Sequence, residues 1–368
     1  MRTRSRILAY FCLAWLALFA KSVQRCGVAE AFVNTRPWIC FSKSRRSLQT
    51  ARSLTKGSAT SLDMKAMAPP AYPVRVAVMG GGNFGLAMAS ICARKGHPTT
   101  ILVRSDDVVD EINIKHTHPR YMQGITLPTK LRATSKPEEC LPDATYIIHA
   151  VPCQYSRKFL EGVKDYIPAG TPVLSVSKGI ENASLGFMAD ILKSVLGKDR
   201  PIAFLSGPSF AREIIEGVAT AVVIASDDLD LARDLAFLLS DDQFKCFTSQ
   251  DVIGVEIGGA VKNVIALGAG MCEGLGLGTN AMSGLVTRGC NEMRRLGLTF
   301  GARPSTIAGL SGEWTTTEIC MCFVSHAMYL NCRFLPPSTL QFRSWGYLWN
   351  VFWTAISKSK VWLSPWTR

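Results

Sequence analysis

The sequence predicts an α/β protein: a Rossmann-type, doubly wound parallel sheet followed by an all-helical, substrate-binding domain that is truncated. Three observations carry this prediction. A β-branched strand runs straight into a glycine-rich turn and a helix over residues 74–95. Strand-length and helix-length segments then alternate up to residue 225, which is typical of a parallel sheet. After Asp251 the apolar segments have helix length and no strand alternation.

The chain divides by composition into two basic ends and a neutral middle. Residues 1–70 carry 12 basic and two acidic side chains, and residues 313–368 carry five and two, so the net charge of +13 lies entirely in these ends. A neutral middle is not a footprint of nucleic-acid binding, so no nucleic-acid partner is expected. Because there is no CxxC pair, the cysteines indicate neither a metal site nor a disulfide framework.

The first basic segment is expected to be a two-part targeting sequence. Three arginines precede an apolar run, from Ile7 to Ala20, that is short for a membrane span, and no stable membrane span is expected. We assign residues 1–31 to a signal peptide and the Ser-, Arg- and Lys-rich residues 32–72 to a disordered transit peptide. This order is similar to the presequences of algal plastids that lie inside the secretory system, so plastid localisation is predicted. A mitochondrial leader and a secreted protein with a disordered arm are the alternatives.

The predicted Rossmann domain, residues 73–250, opens with a dinucleotide-binding turn. A strand at residues 74–79 is followed by Gly80-Gly-Gly-Asn-Phe-Gly85 and then by a helix. Gly80 is needed for the tight turn, Gly82 for close approach of the backbone to a pyrophosphate, and Gly85 to seat the helix on the strand. The helix N-terminus offers unpaired N–H groups to the phosphates. This arrangement predicts NADP(H) or NAD(H) as the cofactor.

Arg104 bears on which dinucleotide binds, because it ends the second predicted strand, residues 99–104. An NAD-specific site usually has a carboxylate there for the ribose hydroxyls, whereas here Asp106 comes two residues later. A guanidinium suits a ribose phosphate, so NADPH is favoured with NADH tolerated. A solvated arginine at a strand end is the alternative.

The remaining predicted strands deliver polar motifs to one edge of the sheet. These strands cover residues 145–151, 171–177, 201–205 and 219–225. The motifs at strand ends are VPCQ (151–154), SKGIE (177–181) and GPSFA (207–211). Because ligands of such sheets bind beyond the carboxyl ends of the strands, we expect these motifs to converge on one crevice.

Lys262 is the candidate reactive group of the predicted helical domain, residues 251–312. It stands in an apolar, glycine-rich helix with Asn263 beside it. Burial disfavours the charge of a lysine and lowers its pKa toward neutrality, which suits a proton donor or acceptor. A lysine that extends to solvent from a partly exposed helix is an alternative of equal weight.

Seven motifs now stand in order between Val74 and about Ser311. They are GGGNFG (80–85), HPRYMQGITLP (118–128), VPCQ, SKGIE, GPSFA, GAVKNVIALGAGMCEGLGLGTNA (259–281) and LVTRGCNEMRRLG (285–297). This set resembles the soluble, NAD(P)-dependent glycerol-3-phosphate dehydrogenases of bacterial and plastid type. The resemblance implies reversible hydride transfer between a nicotinamide and a ketone carbon, which interconverts dihydroxyacetone phosphate and sn-glycerol 3-phosphate for glycerolipid synthesis.

The resemblance also implies roles for individual residues. Lys262 matches the catalytic lysine that exchanges a proton with the substrate oxygen, and Lys178 matches a second lysine in contact with both substrate and cofactor. The implied cofactor-binding residues are Gly80, Gly82, Asn83, Phe84, Gly85, Arg104, Lys178 and Ala211. The implied substrate ligands are Lys178, Gly207, Ser209, Lys262 and Asn263. No metal is implied.

After Gly312 the sequence departs from that family. Residues 313–368 contain neither the Gly-Leu-Gly-Asp segment nor the Ser-Arg-Asn motif expected to complete the substrate-phosphate site. We expect this tail to be poorly ordered and to derive from a retained intron or a shifted reading frame, with a tryptophan-rich interfacial anchor as the rival interpretation.

Two alternatives to the dehydrogenase stay open. One is a catalytically impaired nucleotide-binding remnant, because the substrate-phosphate site is incomplete. The other is a different two-domain dehydrogenase of the 3-hydroxyacid or ketopantoate type, since those also use a lysine on a helix. The expected partner is the small-molecule substrate, with a homodimer left open.

Overall fold

The computed structural model describes residues 74–317 and Cys320. The predicted signal peptide (1–31), the predicted transit peptide (32–72) and the tail from residue 321 onward lie outside the described residues. The described part contains an eight-stranded sheet covered by helices and a helical region that follows it.

The strands occur in the order β3-β2-β1-β4-β5-β6-β7-β8 across the sheet. They are β1 (Val76–Met79), β2 (Thr99–Leu102), β3 (Leu131–Thr134), β4 (Tyr146–His149), β5 (Val173–Ser175), β6 (Ile202–Ser206), β7 (Thr220–Ala225) and β8 (Phe244–Ser249). Every neighbouring pair is parallel except β6 and β7, which are antiparallel. The predicted doubly wound sheet is therefore confirmed, with one antiparallel pairing that element alternation does not reveal.

The helices lie on both faces of the sheet and then form the region that follows it. They are α1 (Asn83–Arg94), α2 (Asp106–Asp110), α3 (Pro137–Cys140), α4 (Cys153–Val163), α5 (Met188–Leu196), α6 (Ala211–Glu216), α7 (Leu229–Leu239), α8 (Val252–Gly274), α9 (Gly278–Thr299) and α10 (Pro304–Ile307). Single helical turns continue the chain at Glu111–Lys115, Lys164–Tyr166 and Leu310–Trp314.

The sheet is buried on both faces, as a central parallel sheet requires. Along β1, Val76 and Val78 pack into one apolar cluster with α1 and α7, whereas Ala77 and Met79 pack into a second cluster with α4 and α5. This alternation follows from the two-residue period of a strand. Since both sets of side chains are apolar, the strand reads in the sequence as a continuous hydrophobic run.

Two strands were not predicted from the sequence. β3 and β8 are the edges of the sheet, and each contains exposed polar side chains, such as Arg132 and Lys245. An edge strand pairs with a neighbour on one side only and tolerates charged side chains. Its hydrophobic pattern is therefore weaker than that of a central strand.

The long helix α8 joins the sheet to the helical region. Asp251 caps its N-terminus by accepting a hydrogen bond from the Gly254 N–H at 2.9 Å, and also accepts one from the Arg303 N–H at 2.7 Å. A Cβ at Gly258 would lie 2.3 Å from the Ser311 carbonyl oxygen, so glycine allows the turn at 310–314 to rest directly on α8. The cap and this close approach together fix α8 against the end of the chain that the structure describes.

The first residues of the predicted poorly ordered tail are packed against this helical region. Thr315 and Thr316 are fully buried, and the Thr316 hydroxyl donates to the Gly312 carbonyl at 2.9 Å. Cys320 shares an apolar cluster with Ala266 and Ala269 of α8, so packing on this helix continues past residue 312, where the quoted sequence motifs had already ended.

Helix α8 also has the length and apolar composition of a membrane span, the one such helix among the described residues. Within its most apolar 18-residue window, 67% is buried inside the protein. Its apolar side chains are thus largely covered by the sheet and the neighbouring helices, as in any core helix.

Glu256 gives a pH-dependent prediction, because its carboxyl is buried in α8. Burial raises the pKa of this carboxyl to about 8 from an ordinary value of 4.5. Between these two pH values the Glu256 carboxyl is ionised in the unfolded chain but protonated in the folded chain. The free energy of unfolding therefore falls as pH rises, by about 1.4 kcal/mol per pH unit. Below 4.5 and above 8 both states carry the same charge, and the slope from this group vanishes.

We expect Glu256→Gln to remove this slope. Urea unfolding of both proteins near pH 4.5 and near pH 8 measures it. The wild-type free energy of unfolding, relative to that of the variant, is expected to decrease between the two conditions. An equal difference at both pH values would show that Glu256 does not hold the proton. Because every other titrating group is common to both proteins, its contribution cancels.

Candidate active site

The glycine turn after β1 has the geometry that its sequence predicts. Gly80 has a φ of 113°, and a Cβ there would lie 2.8 Å from the Ala150 carbonyl oxygen. A Cβ at Gly85 would lie 1.9 Å from the Gly80 carbonyl oxygen. Gly82 differs from both, because no atom lies within 4 Å of the position its Cβ would take. Two glycines therefore allow the turn to close, and the third faces open space.

The residues around this open space fit a dinucleotide. Helix α1 begins directly after Gly82, and no side chain caps its N-terminus. The N–H groups of the first turn are thus available to phosphate oxygens, and the helix carries no acidic side chain there to oppose them. Asn83 is exposed beside the turn, and Phe84 is half-buried against the core.

Arg104 lies exposed just beyond the end of β2. The nearest acid, Asp106, accepts a hydrogen bond from the Ser135 hydroxyl at 2.5 Å. The carboxylate is therefore engaged by the loop that follows β3, while the guanidinium is accessible at the strand end where a Rossmann sheet meets the ribose.

Lys178 spans the space between the glycine turn and α8. Its Nζ lies 5.6 Å from the centroid of the Phe84 ring. At the other end of the side chain, Cγ lies 3.5 Å from the position that a Cβ would take at Gly259. The lysine side chain thus lies beside α8 at Gly259 while its amine reaches toward the Phe84 ring.

Lys262 lies on α8 about one turn beyond Gly259 and is 4% exposed. The alternative of a lysine that extends to solvent is therefore wrong for this chain. The neighbouring Asn263 is half-buried. Lys178 and Lys262 are far apart in the sequence. In the structure, Lys178 lies beside Gly259 of α8 and Lys262 stands one turn further along the same helix.

The loop after β6 supplies the third side of the crevice. Gly207 has a φ of 153°, and a Cβ there would lie 2.8 Å from the Val222 Cα, so the chain turns where only glycine fits. The Ser209 hydroxyl donates to the Gly207 carbonyl at 3.2 Å, and Ala211 begins α6. Just before this loop, the Ser206 hydroxyl is buried and has no hydrogen-bond partner among the described residues.

Two residues that could be mistaken for catalysts are packed in the core. Burial lowers the pKa of His149 to about 4, so the ring stays neutral, and it is fully covered in β4. Burial raises the pKa of Cys153 to about 12, so the thiol keeps its proton. Neither residue is poised for acid–base or nucleophilic chemistry near neutral pH. Over residues 74–317 and at Cys320, no group of three His, Cys, Asp or Glu side chains could hold a metal ion.

The sequence did not single out several residues that support this site. Gly259 and Ser206 contact the Lys178 side chain or lie beside it, and Gln154 and Arg157 bind its loop, Arg157 through Glu181. Gln154 and Glu181 lay within quoted motifs, but a motif letter alone does not reveal its contacts. The spacing of Gln154 and Arg157, three residues apart on one helix, was the available signal.

Comparison with known proteins agrees with this geometry. Residues 75–232 match the profile of the NAD-dependent glycerol-3-phosphate dehydrogenase N-terminus, and residues 251–326 match that of its C-terminus. The second match continues past residue 312, like the packing on α8.

Relatives and solved structures extend the same similarity. The chain is 44% identical over 254 residues to "Glycerol-3-phosphate dehydrogenase [NAD(+)] 2, chloroplastic" of Arabidopsis thaliana, a match over 68% of this chain and 60% of that protein. It is 44% identical over 240 residues to a glycerol-3-phosphate dehydrogenase [NAD(P)+] of Nitratidesulfovibrio vulgaris, over 65% of this chain and 73% of that one. A glycerol-3-phosphate dehydrogenase crystal structure from Coxiella burnetii is 33% identical with a TM-score of 0.64, covering 67% and 75% of the two chains.

Two glycine substitutions distinguish the contribution of the turn to folding stability from its contribution to dinucleotide binding. Gly85→Ala is expected to lower the free energy of unfolding by about 1–3 kcal/mol, because the new methyl group overlaps the Gly80 carbonyl. Gly82→Ala is expected to leave stability nearly unchanged, since its methyl group enters open space, but to weaken NADPH binding by filling room needed for phosphate. Urea unfolding and fluorescence titration with NADPH measure the two effects. Unimpaired NADPH binding by the Gly82 variant would show that the dinucleotide does not use this turn.

Proposed function

The chain belongs to the NAD-dependent glycerol-3-phosphate dehydrogenase family, and from this premise we propose that it catalyses the reversible reduction of dihydroxyacetone phosphate to sn-glycerol 3-phosphate. One observation carries the proposal for these residues. Lys262 is buried on α8 one turn from Gly259, along which Lys178 extends to the dinucleotide-binding turn at Phe84. We infer that the two amines lie where a nicotinamide and a ketone would meet.

We assign the proton transfer to Lys262. A dinucleotide held by Gly80, Gly82 and the N-terminus of α1 would supply the hydride-transfer chemistry for the ketone carbon and its reverse. As the carbonyl oxygen gains negative charge, Lys262 gives it a proton, and it removes that proton from the alcohol in oxidation. Lys178 adds a second positive charge near the same oxygen, which stabilises the developing alkoxide. Because Lys262 is 4% exposed, water competes little with it for the substrate oxygen.

We assign the remaining predicted residues to binding. Gly80, Gly82, Asn83, Phe84, Gly85 and Ala211 are assigned to the dinucleotide, and Gly207, Ser209 and Asn263 to the substrate. In support, the first group surrounds the N-terminus of α1 or begins α6, and the second lies on the loop after β6 or beside Lys262.

We propose NADPH as the preferred cofactor, with NADH tolerated. The support is that Arg104 is exposed at the ribose end of the site, while the Asp106 carboxylate is held by Ser135. A guanidinium can pair with a ribose phosphate.

Lys262→Ala tests the proposed reaction in the full chain. We expect the wild-type chain to bind NADPH but to reduce dihydroxyacetone phosphate slowly, because the Ser-Arg-Asn motif is absent from its sequence. Lys262→Ala is expected to lower that rate by about 100-fold or more without changing the Kd for NADPH. NADPH oxidation, followed by absorbance under single-turnover conditions, measures the rate.

Lys245→Ala, at an exposed position in β8, is the matched control and is expected to behave like the wild type. An undiminished rate in the Lys262 variant would overturn the assignment. Equal rates on the phosphorylated ketone and on an unphosphorylated hydroxy acid would favour the 3-hydroxyacid or ketopantoate type of enzyme instead. NADPH binding with no turnover at all would favour the nucleotide-binding remnant.

We propose that the protein acts in a plastid reached through the secretory pathway, where it supplies glycerol 3-phosphate for glycerolipid synthesis. The support is the composition of residues 1–72 and the name of the Arabidopsis relative, which describes that protein as chloroplastic. A fluorescent protein fused behind residues 1–72, expressed in an alga with such a plastid, is expected to coincide with chlorophyll. The same fusion with residues 1–31 deleted is expected to stay in the cytosol, and mitochondrial fluorescence would contradict the proposal.

A further inference from the structure

The position of the Lys178 amine depends on a loop with no helix or strand of its own. Residues 176–187, between β5 and α5, form this loop. Gly179 has a φ of 128° and Leu185 a φ of 58°, so the backbone twice enters the left-handed region. A segment of this kind holds its shape only if neighbouring groups fix it.

Gln154, near the start of α4, binds the loop through both ends of its carboxamide. Its Nε2 donates to the Ile180 carbonyl at 2.7 Å, and its Oε1 accepts from the Asn182 N–H at 3.0 Å. The side chain thus pairs with two backbone groups of the loop, much as a neighbouring strand would. These two backbone groups would otherwise be left to solvent, because the loop has no strand partner.

Arg157 lies three residues further along α4, on the same face as Gln154. Its Nε donates to Glu181 Oε1 at 2.9 Å and its Nη2 to Glu181 Oε2 at 2.8 Å, a bidentate ion pair. Glu181 is 8% exposed, and the guanidinium holds the pKa of its carboxyl below the usual range. Arg157 also donates to the Ser194 hydroxyl at 2.8 Å, which ties the pair to α5. Partial burial and bidentate geometry make this pair stronger than an isolated surface salt bridge.

The other side of Lys178 is fixed by the same part of the chain. The Ser177 hydroxyl donates to the Val151 carbonyl at 2.5 Å, just before α4 begins. A Cβ at Gly179 would lie 3.4 Å from the Cys153 Cβ, so the loop backbone rests on the first turn of α4. Lys178 is therefore flanked by a contact to Val151 on one side and a contact to the first turn of α4 on the other, while its own side chain extends toward Gly259 and Phe84.

We propose that Gln154 and Arg157, which we call the α4 clamp, are positioning residues that hold the loop so that the Lys178 amine stays between the dinucleotide turn and α8. The catalytic meaning of this position rests on the proposed function, but the clamp itself is defined by the contacts above. A displacement of about 1 Å in a group that stabilises developing charge is enough to lower a rate substantially. Neither clamp residue needs to touch the substrate for this effect.

A double-mutant cycle in the full chain tests whether the clamp acts through Lys178. Gln154→Ala and Arg157→Met are each expected to raise the Kd for NADPH by about threefold to tenfold, because Lys178 is displaced from the cofactor. In a Lys178→Met background the same substitutions are expected to leave the Kd unchanged. Lys158→Ala, at an exposed position on the same helix, is the matched control. Equal effects in both backgrounds would overturn the proposal, since the clamp would then act independently of Lys178.

Hydrogen exchange of the same variants tests the contacts independently of ligand binding and turnover. The Asn182 amide is expected to exchange about tenfold faster in Gln154→Ala. Gln154→Glu retains the acceptor for that amide but sets a second carboxylate oxygen against the Ile180 carbonyl, so protection at Asn182 is expected to be partly restored. Unchanged exchange in Gln154→Ala would overturn the clamp. If the wild type fails to bind NADPH, the proposed function fails, whereas the exchange result still decides whether the clamp exists.

The kinetic constants for reduction of dihydroxyacetone phosphate distinguish a positioning role from a purely structural one. Gln154→Ala is expected to lower kcat with little change in the KM for the ketone, because positioning of Lys178 matters most as charge develops on the oxygen. Gln154→Glu is expected to recover part of kcat. An effect confined to thermal stability, with both kinetic constants unchanged, would count against a positioning role.

Discussion

Parallel pairing of the central strands is the constraint on which the whole site depends. Met79 of β1 lies opposite His149 of β4, which in turn lies opposite Ser175 of β5, and Ser175 is paired with Phe204 of β6. Because these strands run in the same direction and end within a residue or two of one another, their following loops leave at one edge. The dinucleotide turn, the Lys178 loop and the loop after β6 therefore converge, although each is a local feature in the sequence.

Two glycines on α8 allow neighbouring groups to approach this helix closely. Gly258 allows the turn at 310–314 to approach the helix, and Gly259 allows the Ser206 hydroxyl to approach it from another side, next to the Lys178 side chain. Lys262 follows one turn after Gly259 on the same helix and is 4% exposed. Lys262 therefore lies in the protein interior, the setting that its apolar, glycine-rich helix predicted. The α4 clamp fixes the loop that carries Lys178.

Much of the fold was predictable because its signals are local. The buried strands β1, β4 and β5 appear as β-branched runs, and the glycine turn combines a strand, three spaced glycines and a helix. β3 and β8 escaped prediction because edge strands carry mixed polar and apolar side chains. The antiparallel pairing of β6 with β7 escaped as well. Alternation of strands and helices predicts the kinds of element, but not whether a short connection crosses the sheet or returns along it.

The sequence by itself determined the chemical groups and their local settings: the dinucleotide turn, a lysine in an apolar helix and the family to which the motifs belong. Only the tertiary structure decided that Lys262 is buried, that Lys178 lies against Gly259, and that Gln154 and Arg157 hold the loop of Lys178. The physical reason is that these relations join residues far apart in the chain. Their distances depend on strand register and on how closely a helix approaches the sheet, and no single segment of the sequence determines either quantity.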